Sequence, residues 1–128
     1  MAGRLDGTSD VGRRRQRLAE LCKKLPDAQV EPAGVQHLAF KVNKKVFGYY
    51  SYDHHGDGVI AVWCKAPPGE QERLVAELPA VYFAPAYVGP KGWIGMRLDR
   101  RPDWKEVAEV VRRSYVLIAP KRLADRAK

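Results

Sequence analysis

The sequence predicts a two-layer α+β domain with a mainly antiparallel five-stranded sheet. Three observations carry that prediction. Residues 37–65 read as three successive strands joined by turn-length connections, which favours antiparallel pairing. Helical runs at the start, middle and end of the chain each carry one apolar stripe that must be buried, and helices grouped on one sheet face bury all three. At 128 residues and 45% hydrophobic content the chain fits a single core, with no internal repeat or linker to divide it.

The elements follow in order. Residues 1–9 are small and polar and are expected to fray. Asp10 can cap a first helix running to about Leu25. In it Leu18, Leu21, Cys22 and Leu25 stand at i, i+3, i+4 and i+7, with Arg13, Arg17, Glu20 and Lys24 on the opposite face. Pro26 stops it. The first strand, residues 37–42, alternates: Leu38, Phe40 and Val42 face one side, and His37, Ala39 and Lys41 the other. A short turn at Asn43-Lys44 leads into a second, aromatic-rich strand over residues 45–52. Asp53-His-His-Gly-Asp-Gly58 has hairpin chemistry. The third strand, residues 58–65, is nearly all apolar, as a strand buried on both faces should be.

Pro67-Pro68-Gly69 opens a short helix over residues 70–78, ended by Pro79. A fourth, irregular strand near residues 81–88 contains Pro85, which places it at an edge or bend. After a turn at Gly89-Pro-Lys-Gly92, the fifth strand spans residues 93–99. Ile94, Met96 and Leu98 share one face of it, and Trp93, Gly95 and Arg97 the other. Asp103 caps the last helix, with Glu106 positioned as a capping-box partner. Trp104, Val107, Ala108, Val111, Tyr115 and Ile118 form its stripe, and Pro120 ends it.

Charge narrows the function classes. The net charge is +8, and it is loaded at the chain ends. Residues 1–30 carry seven basic against four acidic side chains, residues 31–96 six against six, and residues 97–128 ten against five. Such an excess favours polyanionic partners. Cys22 and Cys64, 42 positions apart in apolar patterns, read as reduced, buried thiols of a cytoplasmic protein. No segment is apolar over membrane-spanning length, and the N-terminus lacks the apolar stretch of a signal peptide, so no membrane partner is expected.

Several longer motifs stand in a fixed order: His37-Leu-Ala-Phe-Lys-Val42, Lys45-Val-Phe-Gly-Tyr49, Trp63-Cys-Lys-Ala-Pro-Pro-Gly69 and Tyr82-Phe-Ala-Pro-Ala-Tyr-Val-Gly-Pro-Lys-Gly-Trp93. Asp103-Trp-Lys-Glu-Val107, Ser114-Tyr115 and Ala119-Pro-Lys-Arg-Leu123 complete the series. Over residues 12–124 the chain resembles the MmcQ/YjbR family of small bacterial proteins. That resemblance implies an α-β(3)-α-β(2)-α two-layer fold similar to that of type III secretion chaperones. It also implies the DNA-binding role usually attached to the family. It supplies no catalytic residues.

The candidate nucleic-acid-binding residues are Lys91, Trp93, Arg97, Arg100, Arg101, Arg112, Arg113, Lys121 and Arg122. Trp93 and Arg97 point the same way, as do Trp63 and Lys65 on the third strand, with Lys41 on the first. If helices cover the Ile94 face, the opposite face presents tryptophans beside cations, a surface that stacks bases and holds phosphates. The same tryptophans also suit burial under the terminal helices or in a homodimer interface. Gly89-Pro-Lys-Gly92 serves either as a wing carrying Lys91 or as an ordinary tight turn. Arg13, Arg14, Arg15 and Arg17 crowd one end of the chain, and Arg100, Arg101, Arg112, Arg113, Lys121, Arg122 and Arg126 the other. Termini that meet would merge these into one phosphate-binding surface; otherwise they are solvated faces, with Glu109 and Arg113 already an i, i+4 pair.

Catalytic and metal chemistry find little support. His54 and His55 are neighbours with no third ligand nearby in sequence, which suits a polar hairpin tip better than zinc. Ser114 sits inside a helix, where its hydroxyl is expected to bond a carbonyl one turn back. No nucleophile elbow, Cys-x-x-Cys or dinucleotide motif is present, so no cofactor is expected. The expectation is a non-enzymatic, mainly electrostatic DNA-binding protein. The alternative is a protein-interaction or chaperone-like module, monomeric or dimerising through its sheet face.

Overall fold

The computed structural model describes residues 10–34, 37–53 and 56–128. The expected fraying of residues 1–9 and the His54-His55 tip lie outside the described residues. In chain order the elements are α1 (Asp10–Lys23), β1 (Gln29–Pro32), β2 (Leu38–Val42), β3 (Lys45–Tyr52), β4 (Ile60–Cys64), α2 (Glu70–Glu77), β5 (Tyr82–Phe83), a 3₁₀ turn (Gly89–Lys91), β6 (Ile94–Arg97), α3 (Trp104–Ile118) and α4 (Lys121–Ala127). The sheet runs β1-β2-β3-β4-β6-β5, and every neighbouring pair is antiparallel. The two-layer α+β architecture is the expected one, with two additions.

The first addition is a sixth strand. Gln29-Val-Glu-Pro32 is too short and too polar to announce itself, but it pairs with β2 from Gln29 opposite Lys41 to Pro32 opposite Leu38. A proline and charged side chains suit an edge, where one row of backbone groups needs no sheet partner. Glu31 forms an ion pair with Lys41 on that edge. The second addition is α4. Pro120 does end α3, but it also occupies the N-cap position of α4, which buries Leu123 and Ala124. Proline suits a helix start because its missing N–H would have no intrahelical acceptor there.

Local chemistry accounts for the sheet's geometry. Asn43 and Lys44 both take positive φ, 51° and 66°, as the tightest hairpins require. Phe40 pairs with Gly48, but Lys41 pairs with Val46, so Phe47 is an extra residue in β3. That bulge breaks strict alternation and lets both Phe47 and Tyr50 enter the core, each with no exposed surface. Central β4 is buried along its whole length, as its continuous apolar character predicts.

One face of the sheet packs against the helices. Phe40, Phe47, Val62, Met96 and Leu98 meet Leu18, Val107, Val111, Tyr115 and Leu123 in a single core. Phe47 and Tyr115 stack edge to face at 5.3 Å. Ser114 behaves differently from expectation. Its hydroxyl donates to the Phe47 carbonyl at 2.5 Å and accepts from the Lys65 N–H at 2.9 Å. It bonds the sheet rather than its own helix because the bulge at Phe47 brings a strand carbonyl within reach. Asp103 caps α3 as expected, accepting from the Lys105 N–H at 3.0 Å. Glu106 instead receives the Tyr82 hydroxyl at 3.2 Å, which ties α3 to the β5 edge.

Candidate nucleic-acid interface

The tryptophans of the open sheet face are buried. Trp63 and Trp93, each 9% exposed, form a second small core with Ala61, flanked by Val46, Tyr49, Phe83 and Val88. Of the two placements open to Trp93, packing wins over a stacking platform. The reason lies in the chain between β5 and β6, which folds back over this face. Phe83 lies directly on Gly95, where any side chain would collide with its ring. Gln71 holds the loop from below, donating to the carbonyls of Gly89 at 2.8 Å and Trp93 at 2.6 Å. The Gly89-Pro-Lys-Gly92 segment is therefore a tied 3₁₀ turn, closed by Gly92 at a φ of 85°, with Lys91 exposed at its tip.

The other expected cations fall into separate groups. Arg97 is held by Asp99 through two contacts, of 2.8 and 3.1 Å. This pairing holds the Asp99 carboxyl below its ordinary value. Arg97, Arg100 and Arg101 share a groove of about 400 Å³ with Arg73, Asp103 and Glu106, beside Leu78 and Tyr82. Arg112 and Arg113 both engage Glu109, Arg113 at 3.4 Å. Their charges are partly spent within the helix, as the i, i+4 spacing of Glu109 and Arg113 implies. Lys121 pairs with Asp125 at 2.8 Å, and Arg122 is exposed beside it on α4.

A more coherent site lies where α1 meets the start of α3. Two adjoining hollows, of about 540 and 580 Å³, are lined by Arg13, Arg14, Arg17, Lys24, Lys105 and Arg112, with Glu20 as the one carboxylate among the described residues. The Arg17 guanidinium stands over the Trp104 ring at 4.5 Å, and both residues border both hollows. Two helical faces explain the arrangement. Leu18 and Cys22 turn α1 inward, which leaves Arg13 and Arg17 outward, with Lys24 exposed just past the helix end. Val107 and Val111 do the same for α3, bringing Lys105 and Arg112 to the shared groove. The N-terminal and C-terminal basic runs thus meet in part. Arg15 is the exception in its run: it turns inward, its guanidinium 6.0 Å from the centre of the Tyr50 ring.

Sequence reasoning assigned Trp104 to the buried stripe of the last helix, yet it is only half-buried. The signal that could have placed it was its position at the helix start, where one ring face has no preceding turn to cover it. Lys24 and Lys105 were not among the expected contacts; their helical spacing places them on the groove side once the two inward faces are known.

On the open face of the sheet, a smaller hollow of about 230 Å³ lies between His37, Tyr49, Ser51, Trp63 and Tyr87. Tyr87 is 71% exposed above it. The Tyr52 N–H donates to His37 Nδ1 at 3.4 Å. Both cysteines are free and buried, and burial pushes the Cys64 thiol up to about 12 and Cys22 well above its ordinary value. Neither is available as a thiolate nucleophile at neutral pH. Among the described residues no group of three or more histidine, cysteine or acidic side chains could hold a metal, and no helix is long and apolar enough to cross a membrane.

An open antiparallel sheet with helices on one face, and cationic grooves outside its core, defines a small two-layer α+β domain. The chain belongs to the YjbR family, whose model matches residues 23–117. The crystal structure of Deinococcus radiodurans protein DR2400, which carries a DUF419 domain, has the same fold at 20% identity. The likeness has a TM-score of 0.69 and covers 88% of this chain and 86% of that one. No curated protein matches the sequence.

Proposed function

We propose that this chain is a non-enzymatic DNA-binding protein that holds the phosphate backbone in the groove between α1 and α3. The observation that carries the proposal is the groove itself, with six basic side chains against one carboxylate among the described residues and a guanidinium held over an indole. Lysine and arginine side chains set along two helices neutralise successive phosphates and release their counterions, which gives affinity without sequence preference. Arg112 belongs to this surface. Arg100 and Arg101, with Arg97 behind them, form a second cationic rim, and Lys91, Arg113, Lys121 and Arg122 add to the general positive field. Trp93 has no part in it, being buried. A cytoplasmic setting belongs to the same proposal and is supported by two free, buried thiols.

The test is fluorescence anisotropy of labelled DNA across a salt series, with a charge-matched protein as control. The logarithm of affinity should fall by about 0.9 per neutralised phosphate on duplex for each unit of log salt. Arg17→Glu and Lys24→Glu should each weaken binding to all sequences alike and reduce that slope by about one. Binding no tighter than the control, or unchanged in both variants, would overturn the proposal.

A protein-interaction module is the second reading, favoured by Tyr87 standing exposed over the aromatic hollow. It predicts a homodimer in light scattering that Tyr87→Ala weakens, or a bound partner that survives nuclease treatment.

A further inference from the structure

We infer that the α1/α3 groove takes unpaired nucleobases, with Trp104 and Arg17 as the stacking surfaces. The inference rests on the DNA reading above and gives it a substrate class, single-stranded nucleic acid. Of the chain's three tryptophans, Trp63 and Trp93 are largely buried in the second core, and Trp104 is the one that lines the cationic hollows. Arg17, Glu20 and Trp104 line both hollows, so the Arg17–Trp104 contact lies where the two adjoin.

The charge pattern along the groove points the same way. Arg13 and Arg14 stand at one end, and Lys24, Lys105 and Arg112 at the other. Between them lie the indole, the flat guanidinium and the Glu20 carboxylate, which accepts from Gln16 at 3.2 Å. A carboxylate repels a phosphate but tolerates a neutral ring. Cationic ends around an aromatic centre, in which one guanidinium offsets one carboxylate, match the order phosphate, base, phosphate along one strand. A duplex keeps its base faces stacked on one another and can offer only its backbone, whereas a single strand offers both. The planar guanidinium also presents a second face on which a base can stack.

The deciding experiment compares three polymers at one salt concentration by anisotropy: a short oligothymidylate, an abasic deoxyribose-phosphate strand of equal length and charge, and a duplex. The oligothymidylate should bind roughly 5- to 150-fold more tightly than the abasic strand, as one stacked base implies. Trp104→Leu should abolish that difference, so that the variant binds oligothymidylate no more tightly than it binds the abasic strand, and Trp104→Phe should keep part of it. In the parent protein, oligothymidylate should quench tryptophan fluorescence, and in Trp104→Phe it should not. Equal binding of oligothymidylate and abasic strand overturns the inference while leaving backbone binding intact. So does a difference that survives in both variants, or a duplex bound as tightly as the single strand. Failure of all three polymers to bind overturns the DNA reading as well.

Discussion

The Arg17 guanidinium lies over the Trp104 ring with 4.5 Å between its central carbon and the ring centroid, joining the first helix to the start of α3 across the basic groove. A planar cation on an aromatic face contributes about 0.5–1 kcal/mol at an exposed site. Lysine keeps the charge but cannot lie flat on the ring. Arg17→Lys, whose ammonium keeps part of the attraction, should therefore lower stability by less than that amount and Arg17→Ala by about all of it, measured by urea denaturation, with the lysine variant preserving the salt dependence of DNA binding. An alanine variant as stable as the parent would show that the stack contributes nothing to joining the helices.

Among the described residues, Glu20 is the one carboxylate lining both hollows. Removing its charge takes away a local repulsion for any phosphate passing the groove. Glu20→Gln should tighten DNA binding roughly two- to fivefold, the scale of one exposed charge pair in water. The effect should shrink as salt rises, because exposed charges are screened beyond roughly 10 Å at 0.1 M. Unchanged affinity at low salt would place the DNA elsewhere on the molecule.

Ser114 joins α3 to two strands through Phe47 and Lys65. Alanine there strands a buried carbonyl and a part-buried N–H. The expected loss is about 1–3 kcal/mol, because an unsatisfied buried group keeps its full desolvation cost. Denaturant unfolding with an unchanged m-value would confirm that the native state alone is affected.

Gly95 is required by the ring of Phe83 rather than by its own backbone. Gly95→Ala should destabilise the fold by about 1–3 kcal/mol through overpacking. Phe83→Ala in the same chain should recover part of that loss. Strict additivity of the two substitutions in a double-mutant cycle would refute the contact.

Alkaline pH should unfold the protein through its buried tyrosines. Burial pushes both Tyr50 and Tyr82 up from 10.0 to about 12, and the nearby Glu106 carboxylate adds to the effect at Tyr82. The unfolded chain then releases these protons at lower pH than the folded one. The stabilisation is complete below pH 10 and is lost as pH rises to about 12. The melting temperature should fall across that window, and the Tyr50→Phe, Tyr82→Phe double variant should fall less.

The sequence by itself determined the architecture. Alternation in β2, the continuous apolar run of β4 and the stripes of α1 and α3 each follow from local spacing, and Asp103, Pro79 and Pro120 mark helix ends through backbone chemistry that acts within a few residues. Tertiary structure decided the rest. The edge strand Gln29–Pro32 exists only because β2 offers it hydrogen bonds, and Ser114 left its own helix because a bulge placed a strand carbonyl beside it. Trp93 and Trp104 show the same division at the candidate site. Pattern alone put the first on an open face and the second in the core. The loop folded over β6 buried the one, and the gap between α1 and α3 left the other partly uncovered. Local spacing fixes which residues share a face; what covers that face depends on chain that is distant in sequence, and no short-range signal encodes it.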